Sequence, residues 1–97
     1  MVKHVLFVKL KENTPEQCQK VKDLFLSMKE KIDFVREVTV GIDSLHSERS
    51  YDVVLELVVD SPEALEAYQV HPYHAGVVKP YITEVRDGIN VVVDYEF

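Results

Sequence analysis

VKHVLFVKL (residues 2–10) is the most informative segment of the chain, because both of its faces are apolar. It is rich in β-branched and aromatic residues and therefore predicts a β-strand. Side chains of a strand alternate between its two faces. One face carries five residues: Val2, His4, Leu6, Val8 and Leu10. The other has Val5 and Phe7 at its centre, so we expect a covering layer on each side of this strand.

Outward from this strand, two helix starts are recognisable. TPEQ (14–17) places a capping Thr14 before a proline at the first helical position, and Gln17 completes a capping box. Apolar residues then recur at helical spacing as far as Ile32. SPEA (61–64) repeats this start with Ser61 as the cap. Both segments are therefore predicted to be helices with defined N-termini.

Three further strands complete the pattern: FVREVTVGID (34–43), YDVVLELVVD (51–60) and INVVVDYEF (89–97). A third helical segment from Pro72 toward Arg86 precedes the last strand. The order β-α-β-β-α-β is that of the ferredoxin-like α+β fold, with a four-stranded antiparallel sheet covered by helices on one face. We expect residues 1–97 to form a single domain.

The second face of this sheet is expected to be a contact surface. Val5 and Phe7 lie at its centre, and Val54, Val58 and Val92 are expected to join them. An apolar patch on the face away from the helices indicates a partner. We therefore predict a homodimer in which two sheets pack face to face through Val5 and Phe7.

Composition excludes several classes of function. The net charge is −6 and the pI is about 5.1, which argues against a nucleic-acid groove and against docking on an anionic membrane. Cys18 is the only cysteine, so the chain has no internal disulfide and no cysteine-based zinc site. The opening MVKHVLFVKLKE is too short and too charged for a signal peptide or a membrane span. We expect a cytoplasmic protein.

AYQVHPYHAG (67–76) holds the candidate functional residues. On an unbroken helix Tyr68 and His74, six residues apart, would point about 120° away from each other. Pro72 would clash with the carbonyl of Tyr68, so the chain should bend at His71 and start a new helix at Pro72. This bend could direct Tyr68 and His74 toward one pocket, which His4 would enter from the sheet.

The pocket residues have a catalytic and a structural interpretation. As an enzyme, His74 would take a proton α to a carbonyl, while Tyr68 held the developing enolate oxygen and a neutral His4 served as a second base. As structure, His4 is a core histidine, Tyr68 a packing residue with a bonded hydroxyl and His74 a polar residue at a corner. His71 is interpreted as a cap residue. His71 and His74 are three apart, but no acid lies between residues 67 and 78, so no metal site is predicted.

Three segments carry a resemblance to a known family: VKHVLFVKLK (2–11) with its early histidine, HPYH (71–74) after the second helix, and VVVDYE (91–96) at the end. Over essentially its full length the chain resembles the stress-responsive A/B-barrel (Dabb) family. The resemblance implies a dimeric α+β barrel. One plant member is a polyketide cyclase that performs an intramolecular aldol condensation without a cofactor. Its catalytic histidine resembles His74, its assisting tyrosine resembles Tyr68 and its first-strand histidine resembles His4.

Three functions follow from these observations. The first is a small dimeric protein that binds a small molecule in a pocket between sheet and helices, with no assigned reaction. The second is a cofactor-independent cyclase with His74 as general base. The third, a cofactor-free monooxygenase, rests on analogy of fold alone. No cofactor is predicted for any of them, and the expected partners are a second copy of the chain and a small-molecule ligand.

Overall fold

The computed structural model describes all 97 residues as a sheet with helices on one side. The elements, in chain order, are β1 (Val2–Val8), α1 (Pro15–Lys31), β2 (Glu37–Ile42), β3 (Val53–Val59), α2 (Pro62–Val70), a π-helical turn (His74–Val78), α3 (Lys79–Val85) and β4 (Val91–Glu96). The strand order is β2-β3-β1-β4, and every neighbouring pair is antiparallel. This confirms the predicted ferredoxin-like α+β fold. None of the helices is long and apolar enough to cross a membrane.

The first strand is shorter than predicted. β1 ends at Val8 rather than at residue 10, and Leu10 forms only an isolated bridge with Arg86. The backbone N–H of Leu10 donates instead to the buried carboxylate of Asp52 at 2.7 Å. On either side of Leu10 the backbone bonds to the end of α3 and the residues after it, with the N–H of Asp87 donating to the carbonyl of Lys9 at 2.7 Å and the N–H of Lys11 donating to the carbonyl of Val85 at 3.0 Å.

The helix starts are largely as predicted. The hydroxyl of Thr14 accepts the N–H of Gln17 at 3.2 Å, and the hydroxyl of Ser61 accepts the N–H of Ala64 at 3.1 Å. The reciprocal half of the capping box is missing. The Gln17 side chain donates to the hydroxyl of Tyr81 on α3 at 2.9 Å, so a tertiary contact has replaced the local one.

The core lies between α1 and the inner face of the sheet, which is the face that the helices cover. Val21, Phe25 and Met28 of α1 and Leu55 and Leu57 of β3 are all at most 1% exposed. This layer confirms the apolar stripe predicted for α1, and it holds β1 and β3 under the helices.

The outer face of the sheet, which is the face away from the helices, is apolar along β1 and β4. Phe7 lies opposite Val54 of β3 and Val91 of β4, and Val5 lies opposite Val93. Phe7, Val91, Val93 and Tyr95 remain 36–54% exposed. Val54 lies opposite Phe7, and Val58 lies opposite Lys3. Side chains that are opposite each other share a face, so both valines extend this patch as predicted.

The prediction for Val92 was wrong. Val92 pairs with Leu6 and therefore lies on the inner face, with the helices. Because side chains alternate with a period of two, a shift of one residue moves a side chain to the opposite face. On β4 the apolar patch therefore includes Val91 and Val93, the residues on either side of Val92.

Candidate functional site

His4 lies at the centre of β1 on the inner face and is 6% exposed. The register places Asp94 of β4 directly opposite, and Nδ1 of His4 lies 2.5 Å from Oδ1 of Asp94. A carboxylate only accepts, so Nδ1 carries the proton and donates. The lone pair of a neutral imidazole is then on Nε2. Sequence analysis missed Asp94, and its only signal was a single acid in the apolar run VVVDYE.

The bend predicted at His71, with a new helical segment from Pro72, is confirmed. α2 ends at Val70, and His71 has φ −59° and ψ 135°, outside the helical region. The ring Nδ1 of His71 accepts the backbone N–H of Tyr73 at 3.1 Å, which caps the helical segment that begins at Pro72. This bond supports the structural interpretation of His71.

His74 begins a π-helical turn, in which the N–H of Lys79 bonds to the carbonyl of His74, five residues earlier. Nδ1 of His74 lies 3.0 Å from the carbonyl oxygen of Gln69, in the last turn of α2. A carbonyl can only accept, so this bond assigns the proton to Nδ1 and leaves the lone pair on Nε2. Short π-helical segments occur frequently at functional sites.

The pKa of His74 lies below the ordinary histidine value. Burial is the largest cause, the bond to the carbonyl of Gln69 opposes it, and the neighbouring His4, Lys79 and His71 lower the pKa further. Desolvation disfavours the imidazolium. His74 is therefore neutral near pH 7, with a lone pair available on Nε2.

Tyr68 packs between the two histidines. Its ring centroid lies 4.4 Å from that of His74 and 5.8 Å from that of His4. The side chain is 1% exposed, and its hydroxyl donates to Sδ of Met28 at 3.6 Å. Burial, with the charge of Asp94, raises the pKa of Tyr68 above its ordinary value, so the phenol stays protonated. In this arrangement the hydroxyl bonds to α1 and to neither histidine.

An open pocket of about 250 Å³ connects these residues. His4, Tyr68 and His74 all line it, so the bend brings the three predicted residues to one space. Lys79 of α3 and Arg86, which directly follows that helix, also line the pocket. Arg86 was not predicted as a pocket residue, because only the tertiary structure shows which side chains at the end of α3 border the pocket.

Comparison with known proteins places the chain among small ferredoxin-like domains. A protein of Arabidopsis thaliana is 25% identical with a TM-score of 0.84, and the match covers 99% of this chain and 94% of that one. A Bacteroides fragilis protein, described as dimeric and of unknown function, is 25% identical with a TM-score of 0.82 and coverages of 99% and 95%. An antibiotic biosynthesis monooxygenase is 16% identical with a TM-score of 0.73 and coverages of 100% and 98%, which indicates a shared fold alone.

No curated protein matches the chain significantly. The family model described as the stress responsive A/B barrel domain, Dabb, matches residues 2–97. The matched range spans every strand and helix of the structure. The chain therefore belongs to the stress-responsive A/B-barrel (Dabb) domain family.

Proposed function

We propose that this protein is a homodimer, with residues 1–97 as its single domain, that binds a small organic molecule in the pocket bounded by His4, Tyr68 and His74. The observation that carries the proposal is open space of about 250 Å³ beside two histidines, each with one ring nitrogen held by a protein acceptor. A concave site with a few fixed polar groups is the usual form of a ligand pocket. The free, buried thiol of Cys18 is compatible with a cytoplasmic location.

The dimer part of the proposal rests on the outer face of the sheet. Phe7, Val91, Val93 and Tyr95 form a partly exposed apolar surface around the half-buried Val5. Such a surface on a protein of this size favours burial against a second copy. The dimeric description of the Bacteroides fragilis protein supports a dimer, and the choice of this face rests on the apolar patch.

A ligand screen tests the binding function. Wild type and His74→Ala are screened against a library of small organic compounds by thermal shift, and hits are confirmed by chemical-shift changes in NMR. We expect hits that stabilise wild type and lose most of that effect in His74→Ala, because binding to the folded state raises stability. His46→Ala, which changes an exposed loop histidine, is the matched control. Hits that bind wild type and His74→Ala equally well would show that binding does not depend on His74.

The second candidate is proton-transfer chemistry of the aldol-cyclase type, favoured by the neutral His74 with its lone pair on Nε2. Nε2 takes a proton α to a carbonyl. The enolate carbon attacks a second carbonyl of the same molecule, and the resulting alkoxide takes the proton back from His74. In this mechanism Tyr68 turns its hydroxyl from Met28 to the enolate oxygen.

Isotope exchange tests this candidate without a known substrate. The α-protons of 2-heptanone are followed by NMR in deuterated buffer with wild type, His74→Gln and, as control, His46→Gln. General-base catalysis predicts faster exchange with wild type and with His46→Gln, and loss of that acceleration in His74→Gln. Equal exchange with all three proteins would contradict the enzyme hypothesis. The monooxygenase alternative rests on the shared fold alone.

A further inference from the structure

Two cationic residues line the pocket at α3. Lys79, Ile82 and Thr83 of the helix line it, and their spacing of three and four residues is that of a single helix face. Arg86 also lines it and is the extended residue that follows the last turn of α3. Lys79 and Arg86 thus border the same space.

The charge of the pocket is opposite to that of the protein. The chain has 17 acidic and 11 basic side chains, yet none of the twelve residues that line the pocket is acidic. Lys79 and Arg86 take part in no ion pair, whereas Arg36 forms two hydrogen bonds with Asp60 on the surface. Positive charge that borders a concave site of an acidic protein favours anionic ligands.

A buried polar atom near these cations also lacks a partner. Asn90 lines the same pocket, and its side-chain oxygen Oδ1 is buried without a hydrogen bond. Leaving such a group unsatisfied costs about 1–3 kcal/mol, so buried polar atoms are normally paired. Because this oxygen only accepts, an occupant with a hydrogen-bond donor such as a hydroxyl would satisfy it, and a carboxylate or an entirely apolar ligand would not.

We propose that the pocket selects small organic anions, in particular carboxylates, whose negative group is bound by Lys79 and Arg86. The inference rests on the proposed binding function and adds the class of ligand. The apolar side of the site, formed by Leu6, Phe25 and Ile82, takes the carbon skeleton. The guanidinium of Arg86 matches the two oxygens of a carboxylate, and Lys79 adds a second charge.

The test compares 4-hydroxybenzoate with its neutral methyl ester, with binding to the full-length protein followed by NMR titration. We expect the acid to bind at least about tenfold more tightly than the ester, the ratio that corresponds to 1.4 kcal/mol. Lys79→Gln and Arg86→Gln should each weaken binding of the acid several-fold and leave that of the ester unchanged. Added salt should weaken only the acid. Lys29→Gln, an exposed lysine of α1, is the charge-matched control and should behave as wild type.

Three outcomes would overturn the inference: equal affinity for acid and ester, unchanged affinity in both glutamine variants, or no binding of the acid at millimolar concentration. The test separates this failure from failure of the proposed function. If the ester shifts the resonances of His74 and the acid does not bind more tightly than the ester, the pocket binds small molecules without selecting anions. If the general screen also yields no ligand, the binding function itself is wrong.

Discussion

At the scale of the residue, two histidines of the pocket are fixed by different acceptors. Nδ1 of His4 bonds to the carboxylate of Asp94, and Nδ1 of His74 bonds to the backbone carbonyl of Gln69. In both rings the proton is assigned to Nδ1, which leaves Nε2 as the basic atom of the neutral form. The ring of Tyr68 packs against both imidazoles, with centroids 5.8 Å from His4 and 4.4 Å from His74.

The lowered pKa of His74 predicts a pH dependence of stability. Its ordinary value is 6.5, and the folded protein binds this proton less well than the unfolded chain. The contribution to stability is therefore complete above pH 6.5 and is lost as the pH falls from there through the folded pKa. As the pH falls through this range, we expect the melting temperature measured by calorimetry to decrease less for His74→Gln than for wild type. His46→Gln should follow wild type, and parallel curves for all three proteins would contradict the assignment.

The contact of Tyr68 with Met28 predicts which part of this side chain stabilises the fold. The hydroxyl makes one weak bond to sulfur, so Tyr68→Phe should lower the free energy of unfolding by less than about 1 kcal/mol. Tyr68→Ala removes a buried ring and should cost about 3–5 kcal/mol. Urea unfolding measures both. A large loss in Tyr68→Phe would show that the hydroxyl has a stronger partner than Met28.

At the scale of the element, the site depends on how α2 begins and ends. Ser61 caps the first turn. Val70 is the last helical residue, because Pro72 prevents the helix from continuing. Between these points Tyr68 faces the core while the carbonyl of Gln69 reaches His74. The helix is only nine residues long, so its stability comes from its caps and its packing rather than from its length.

Loss of the Ser61 cap should therefore be measurable. Ser61→Ala removes the acceptor for the N–H of Ala64 and should lower the free energy of unfolding by about 1 kcal/mol in urea titrations. Ser44→Ala, in the exposed loop between β2 and β3, is the matched control and should be neutral. Equal stability of the two variants would mean that packing alone fixes the start of α2.

At the scale of the whole molecule, the sheet separates two surfaces. The inner face carries the core and the pocket, and the outer face carries the apolar patch along β1 and β4. β1 contributes to both, because His4 points inward while Val5 and Phe7 point outward. Any dimer through the outer face thus covers the back of the strand that holds His4.

A charge on the outer face should dissociate the proposed dimer. Val93→Glu places a carboxylate at the centre of the patch, where burial without a partner is unfavourable. Light scattering coupled to size exclusion should give a dimer for wild type and a monomer for Val93→Glu. Leu45→Glu, a substitution at a 79% exposed loop position, should remain dimeric. A monomeric wild type at micromolar concentration would contradict the proposal that this face is a dimer interface.

Local sequence was sufficient for much of this structure. The order of strands and helices, the caps at Thr14 and Ser61 and the break before Pro72 were all predicted correctly. These features depend on side-chain periodicity and on steric and hydrogen-bonding effects within a few residues. The presence of His4, Tyr68 and His74 around one pocket was also anticipated, although their roles remain predictions.

The remaining features required contacts between distant segments. The pairing of Asp94 with His4 and the inward position of Val92 both depend on the register of β4 against β1, more than 80 residues away in sequence. The bond of Tyr68 to Met28 and the positions of Lys79 and Arg86 at the pocket depend on how the helices pack over the sheet. Register and packing are chosen by the whole core at once, because one slipped residue reverses a strand's faces. The residues next to each of these positions in the sequence therefore do not predict the register or the packing.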